Sequence, residues 1–287
     1  IEQALRQAFL IADPSIVRVM AAAVIANRLP SLPVWLFIVA GSSGGKTEII
    51  TALDDVKGVK PISALTSRAF LSGFKTAGGK EASLLLELQE GILTFKDFTS
   101  FLSTRSEEKG EILGQLREIY DGSYVKRFGT GEEKAWTGKM GFIAGATSVI
   151  YIAREFYAAM GERFMIYKYI QPEAVPASLK AIASASKLKE YRLDIKKTFA
   201  DYLDHNLEIP NPAPELDYGF QKEIVELADF STLAQTPVER EWRSPSKEIT
   251  FHHDRGMPMR FATQLSLMAK ALIIMAGGEL RDQDRNI

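Results

Sequence analysis

The chain has 287 residues, 46% of them hydrophobic and 25% charged, with a formal net charge of −1. This balance suits a globular protein with a large core and excludes a globally basic nucleic-acid binder, so any nucleic-acid contact must come from a local patch. With no cysteine, disulfides and thiolate metal sites are excluded; no stretch approaches the roughly 20 apolar residues of a membrane span, and no signal peptide is evident, which together favour the cytoplasm and no membrane partner.

The chain starts at Ile1 and reads as a fragment of something longer. Leu5, Phe9, Ile16, Val19, Met20 and Val24 recur near helical spacing and predict helix over 1–28, ended by Pro30 and Pro33. Val34 to Ala40 is an uninterrupted apolar run, the pattern of a central parallel strand. A glycine loop follows, then helix from Lys46 to about Leu53. Residues 83–90 read as helix, 91–95 as a second buried strand, and 107–120 as an amphipathic helix. Residues 124–128 and 134–137 form two arms of a hairpin around Gly129, Thr130 and Gly131. Residues 140–145 are a third buried strand and 164–170 a fourth. Helix is expected over 177–209, then a linker marked by Pro210, Pro212 and Pro214, then helices over 221–228 and 260–276. Strand–helix alternation of this kind predicts an α/β fold, a three-layer α/β/α sandwich around a parallel sheet with a small C-terminal helical part. The domain reading is 1–210 for the sheet domain with its helical lead-in, and 211–287 for the C-terminal part.

Ala40 to Thr47 fits the pattern Ala or Gly, four residues, Gly-Lys-Ser/Thr. Consecutive backbone N–H groups curl around an anion only when glycines occupy strained positions, and the helix that starts there adds a favourable field. Gly41, Ser42, Ser43, Gly44, Gly45, Lys46 and Thr47 are therefore candidate phosphate-binding residues for ATP. Lys46 reaches the β- and γ-phosphates, and the Thr47 hydroxyl is a ligand for Mg2+. An enzyme of this type also needs a carboxylate at the tip of a neighbouring strand. Asp97, after the strand 91–95, is the candidate, and Lys96 stands where a paired acid is usual. Asp97 either holds the metal or polarises the attacking water; a strand-end Asp that caps the next turn is the plainer reading.

The order of phosphate loop, acid-ended strand, hairpin, third strand ending in Gly145-Ala146-Thr147-Ser148, and then Gly161-Glu162-Arg163-Phe164 resembles AAA+ ATPases. Within them it resembles the minichromosome-maintenance-like helicases and related ATPases of phages and integrative elements, over about residues 13–278. The resemblance implies that Thr147 is a sensor near the γ-phosphate and that Arg163 is an arginine finger acting on a neighbour's ATP. It also implies that Arg260, opening the helix after Pro258, is a second sensor arginine. The catalytic set is then Lys46, Asp97, Thr147, Arg163 and Arg260. The resemblance further implies a homo-oligomeric ring, a hexamer, with the hairpin reaching DNA through Lys126, Arg127 and Lys134, and Tyr124 or Phe128 stacking on bases. The function it implies is an ATP-driven DNA translocase or helicase of a mobile element or phage. Lys96 in the acid position favours another class, an ATP-dependent regulatory or defence switch with slow hydrolysis and protein partners. For Arg163 the structural alternative is a buried salt bridge, for Arg260 a solvated helix start, and for the hairpin an ordinary solvated one. A basic stretch, Lys187, Lys189, Arg192, Lys196 and Lys197, reads most simply as a solvated helix face.

Overall fold

The computed structural model describes residues 1–42, 44–74, 82–153, 156, 160–236, 238–241, 249–252 and 256–278. Its strands are β1 (Trp35–Val39), β2 (Val59–Ile62), β3 (Gly91–Phe95), β4 (Ser123–Arg127), β5 (Glu133–Thr137), β6 (Met140–Ala146) and β7 (Phe164–Lys168), with a small ladder of β8 (Val238–Arg240) and β9 (Ile249–His252). Five strands form the main sheet in the order β2-β3-β6-β1-β7, and every pairing in it is parallel. β1 and β6 are buried along their whole length, as their continuous apolar runs require of strands covered on both faces.

The helices are α1 (Glu2–Ala8), α2 (Ser15–Arg28), α3 (Lys46–Thr51), α4 (Leu84–Leu88), α5 (Phe98–Leu102), α6 (Ser106–Tyr120), α7 (Ala174–Ser184), α8 (Leu188–Ala200), α9 (Tyr218–Gln235) and α10 (Met259–Ala276). Alternation along β1 sorts its side chains into two cores. Leu36 and Ile38 pack with α1, α2, α3, α8 and α10. Trp35, Phe37 and Val39 pack with α4, α5, α6 and the β4–β5 hairpin. The expected three-layer arrangement and hairpin are both present.

Several boundaries differ from the sequence reading. The lead-in is two helices, because Pro14 is the N-cap of α2 and the turn before it belongs to neither helix. β2 carries Pro61, which suppressed a strand reading; it is the edge strand, where a missing N–H is tolerated. The short α5 exists because Asp97 caps it, accepting from the Thr99 N–H at 3.0 Å. The helix expected over 177–209 is α7, α8 and a π turn at Asp201–Asn206. That turn is held by Arg28, which donates to the Leu203 carbonyl and pairs with Asp204. The helix expected over 221–228 extends to Tyr218–Gln235, with Asp217 capping it at the Phe220 N–H. α10 also corrects the membrane-span reading: its 18 residues have a mean hydropathy of 1.3, enough by length and composition to cross a bilayer. Here Leu267, Met268, Ala271, Leu272 and Ile274 join the α2 core, and Ala269 and Ile273 pack with Ile224 of α9.

Candidate phosphate-binding site

Three strand ends meet at the carboxyl edge of the sheet. β1 runs into the loop 40–47, β3 ends before Lys96 and Asp97, and β6 ends before Thr147. The chain leaves β1 for β2 at one edge, while β7 lies on the other side of β1. A crevice at such a switch point is where open α/β sheets bind ligands.

Gly45 adopts φ +83° as the N-cap of α3, a conformation that side chains resist. Lys46 follows and is only 8% exposed. Its Nζ donates to the carbonyls of Ala40 at 2.9 Å and Gly41 at 2.6 Å, folding the cation back over its own loop. Loss of water pushes the Lys46 pKa below the ordinary lysine value, and the negative charge of Asp97 acts against that shift. Ser42, Gly44 and Thr47 lie around this cation's loop as expected, whereas Ser43 lies outside the described residues.

Gln171, just beyond β7, closes the flank of the loop. The Gly41 N–H donates to its Oε1 at 3.1 Å. A Cβ on Gly44 would lie 1.9 Å from its Nε2, so glycine leaves the room this amide needs. Sequence reasoning missed Gln171, which lies 130 residues from its partner. It also missed Thr99, although an Asp followed two residues later by an N–H donor is a capping signal. Thr99 Oγ1 accepts from the Thr147 N–H at 3.0 Å and lies 3.2 Å from the Thr147 hydroxyl. Asp97, Thr99 and Thr147 are thus one connected group.

Lys96 and Asp97 take opposite sides of the β3 tip. Asp97 turns to the α5 side, bonded to Thr99. Lys96 turns to the α3 side, where it lines a hollow of about 470 Å³ together with Thr47 and residues of α8. Both acids lining that hollow are paired, Glu48 with Arg192 and Asp54 with Lys196. The glycine loop and Lys46 fit nucleotide phosphates. The hollow beside Thr47 fits a divalent cation poorly, because four basic residues line it and its two acids, Glu48 and Asp54, are already paired. Asp97, expected with Thr47 as a metal-binding pair, does not line this hollow; it caps α5, and its charge acts on Lys46.

Arg163 and Arg260 lie elsewhere. Arg163 is 8% exposed and donates to the Met160 carbonyl at 3.1 Å and to Asp121 at 3.0 Å, with its guanidinium over the Tyr120 ring. This is the buried salt bridge that was its structural alternative. Arg260 lies 3.8 Å from the same Asp121. Phe164, next to Arg163, pairs with Trp35 at the start of β1. The phosphate loop begins five residues further on, so at about 3.3 Å per residue the two ends of the sheet are roughly 17 Å apart. Neither arginine belongs to the phosphate loop of its own chain.

The hairpin forms, and its register sets Lys126 opposite Lys134 and Arg127 opposite Glu133. Two of its three basic residues turn inward. Lys126 donates to the Ser67 carbonyl at 2.5 Å, and Lys134, 8% exposed, donates to the Ser72 carbonyl at 2.7 Å. Tyr124 is buried in the core, and Phe128 packs near Gly73. Arg127 is exposed and paired with Glu133.

Strand, glycine loop, helix and buried lysine define a P-loop protein of the three-layer α/β/α class. No protein-family model and no curated protein matches the chain. Among solved structures it is similar to a protein of Cytophaga hutchinsonii described as a candidate ATPase, with a TM-score of 0.52 and 11% identity over 99% of this chain and 82% of that one. At this identity the likeness speaks for the fold.

Proposed function

We propose that this chain is an ATP-binding AAA+ switch whose nucleotide state governs its assembly into a ring, with slow hydrolysis. The observation that carries the reading is Lys46, buried and folded over a glycine loop between the central strand and α3. ATP phosphates would replace the Ala40 and Gly41 carbonyls as its partners and gain the loop's N–H groups. Asp97, tied through Thr99 to Thr147, is suited to orient water at the γ-phosphate. Arg260, half exposed at the far end of the sheet, supports action on a neighbour's nucleotide, which calls for a ring; Arg163, buried against Asp121, gives this less support. ATP titration and light scattering on the wild type and Lys46→Ala test this. Nucleotide binding and ATP-dependent growth of the assembly, both lost in Lys46→Ala, are the expected result. A wild-type protein that ignores ATP would sink the reading.

A DNA translocase or helicase of a mobile element or phage is the second reading, favoured by the hairpin and its exposed Arg127. Lys126 and Lys134 give it less support, because both already bind carbonyls of their own chain. ATP hydrolysis stimulated by single-stranded DNA, with binding that falls as salt rises, separates it from the switch.

A further inference from the structure

The hollow beside Thr47 is built for negative charge. Lys96, Lys189, Arg192 and Lys196 line it. Arg192 and Lys196 are balanced by Glu48 and Asp54. Lys96 and Lys189 have no ion-pair partner among the described residues. The lysine stretch that reads in sequence as a solvated helix face therefore places part of its charge beside the phosphate loop.

The Lys96 position is fixed by packing. Its carbonyl abuts Gly145, where a Cβ would approach it to 2.6 Å. The strand tip cannot rotate to exchange Lys96 for Asp97 without breaking the Asp97 cap on α5 and the close approach of β3 to β6. An ammonium is thus held on the side of Thr47 where a phosphate-loop enzyme needs a carboxylate to hold its magnesium. A divalent ion placed there would face two unbalanced lysines, and the two acids among the described residues that line the hollow, Glu48 and Asp54, already carry cationic partners. A triphosphate placed there would meet the charge it lacks.

We propose that the Lys96 ammonium takes the place of the divalent cation, so that the loop binds ATP free of magnesium. This rests on the nucleotide reading of the loop. Lys96 neutralises the phosphates from the Thr47 side while Lys46 does so from the loop, and Lys189 adds longer-range attraction.

Calorimetric titration with ATP, in excess chelator and in excess magnesium, tests the proposal on the wild type without any substitution. The affinities are expected to agree within about threefold, and Lys96→Ala should lose about tenfold or more in chelator. Lys96→Asp should bind ATP only when magnesium is present. Wild-type binding that weakens about tenfold or more on chelation overturns the proposal, as does a folded Lys96→Ala protein that binds ATP in chelator as the wild type does. These failures leave the phosphate loop standing. Absence of ATP binding by the folded wild type in both buffers overturns the loop reading and this proposal together.

Discussion

Arg163 holds its guanidinium 3.0 Å from the Asp121 carboxylate, at the end of the sheet opposite the phosphate loop. Asp121 is half exposed while Arg163 is nearly buried, and the Arg163 Nε is buried without a hydrogen-bond partner among the described residues. The arginine therefore depends on this acid and on the Tyr120 ring for its stability. Asp121→Ala should lower the unfolding free energy by about 1–3 kcal/mol, because it leaves a buried cation unbalanced. Urea unfolding checks this. Arg260→Ala, at 3.8 Å from the same acid and half exposed, should change it by less than about 1 kcal/mol.

Gly145 sets the spacing between the tips of β3 and β6. An added Cβ would lie 2.6 Å from the Lys96 carbonyl oxygen and 3.0 Å from Ile50 Cδ1. The first of these is backbone and cannot swing aside. Gly145→Ala should cost about 1–3 kcal/mol of stability through overpacking. It should also displace Lys96 and Asp97 together, so ATP affinity should fall more than in a Gly129→Ala control, whose Cβ meets nothing within 4 Å.

How much of this was legible follows from the range of each interaction. The phosphate loop was legible because an apolar run, glycines and Lys46-Thr47 are contiguous. The central strands and hairpin were legible because their patterns are local. β2 was not, since Pro61 argues against a strand until its edge position is known. The roles of Lys96 and Asp97 were open because the facing of each depends on how β3 registers with β6. Arg163 could be read as a finger or as a buried ion pair because Asp121 lies 42 residues away. The same applies to Gln171, whose contact with Gly41 only the sheet order of β1 beside β7 brings about.

Lys139 gives the fold a pH signature. Its Nζ donates to the Leu29 carbonyl at 2.5 Å, and burial pushes its pKa down from 10.5 to about 8, with Glu90 opposing the shift. Between those pH values the unfolded chain keeps a proton that the folded chain has released. Stability contributed by this residue therefore rises with pH from about 8 to 10.5 and is lost as pH falls through 8. The melting temperature of the wild type relative to Lys139→Met should rise across that window. A difference that stays flat or falls would show that Lys139 remains charged in the fold.

Stability and DNA binding together separate structural from DNA-binding roles in the hairpin. Lys134 is 8% exposed and its ammonium satisfies the Ser72 carbonyl at 2.7 Å. Lys134→Ala removes that bond and the buried stem, leaving the Ser72 carbonyl with the Ser83 hydroxyl at 3.2 Å, which should cost about 1–2 kcal/mol. The Arg127 side chain is 78% exposed and its partner Glu133 is 48% exposed, so Arg127→Ala should shift stability by no more than about 0.5 kcal/mol. Paired measurements of urea unfolding and single-stranded DNA binding at low salt then discriminate. If the hairpin serves DNA, Arg127→Ala weakens binding at unchanged stability, because it is the basic residue of the three that faces outward. If the switch reading holds, Lys134→Ala lowers stability, and neither substitution changes a DNA affinity that is already weak and nonspecific.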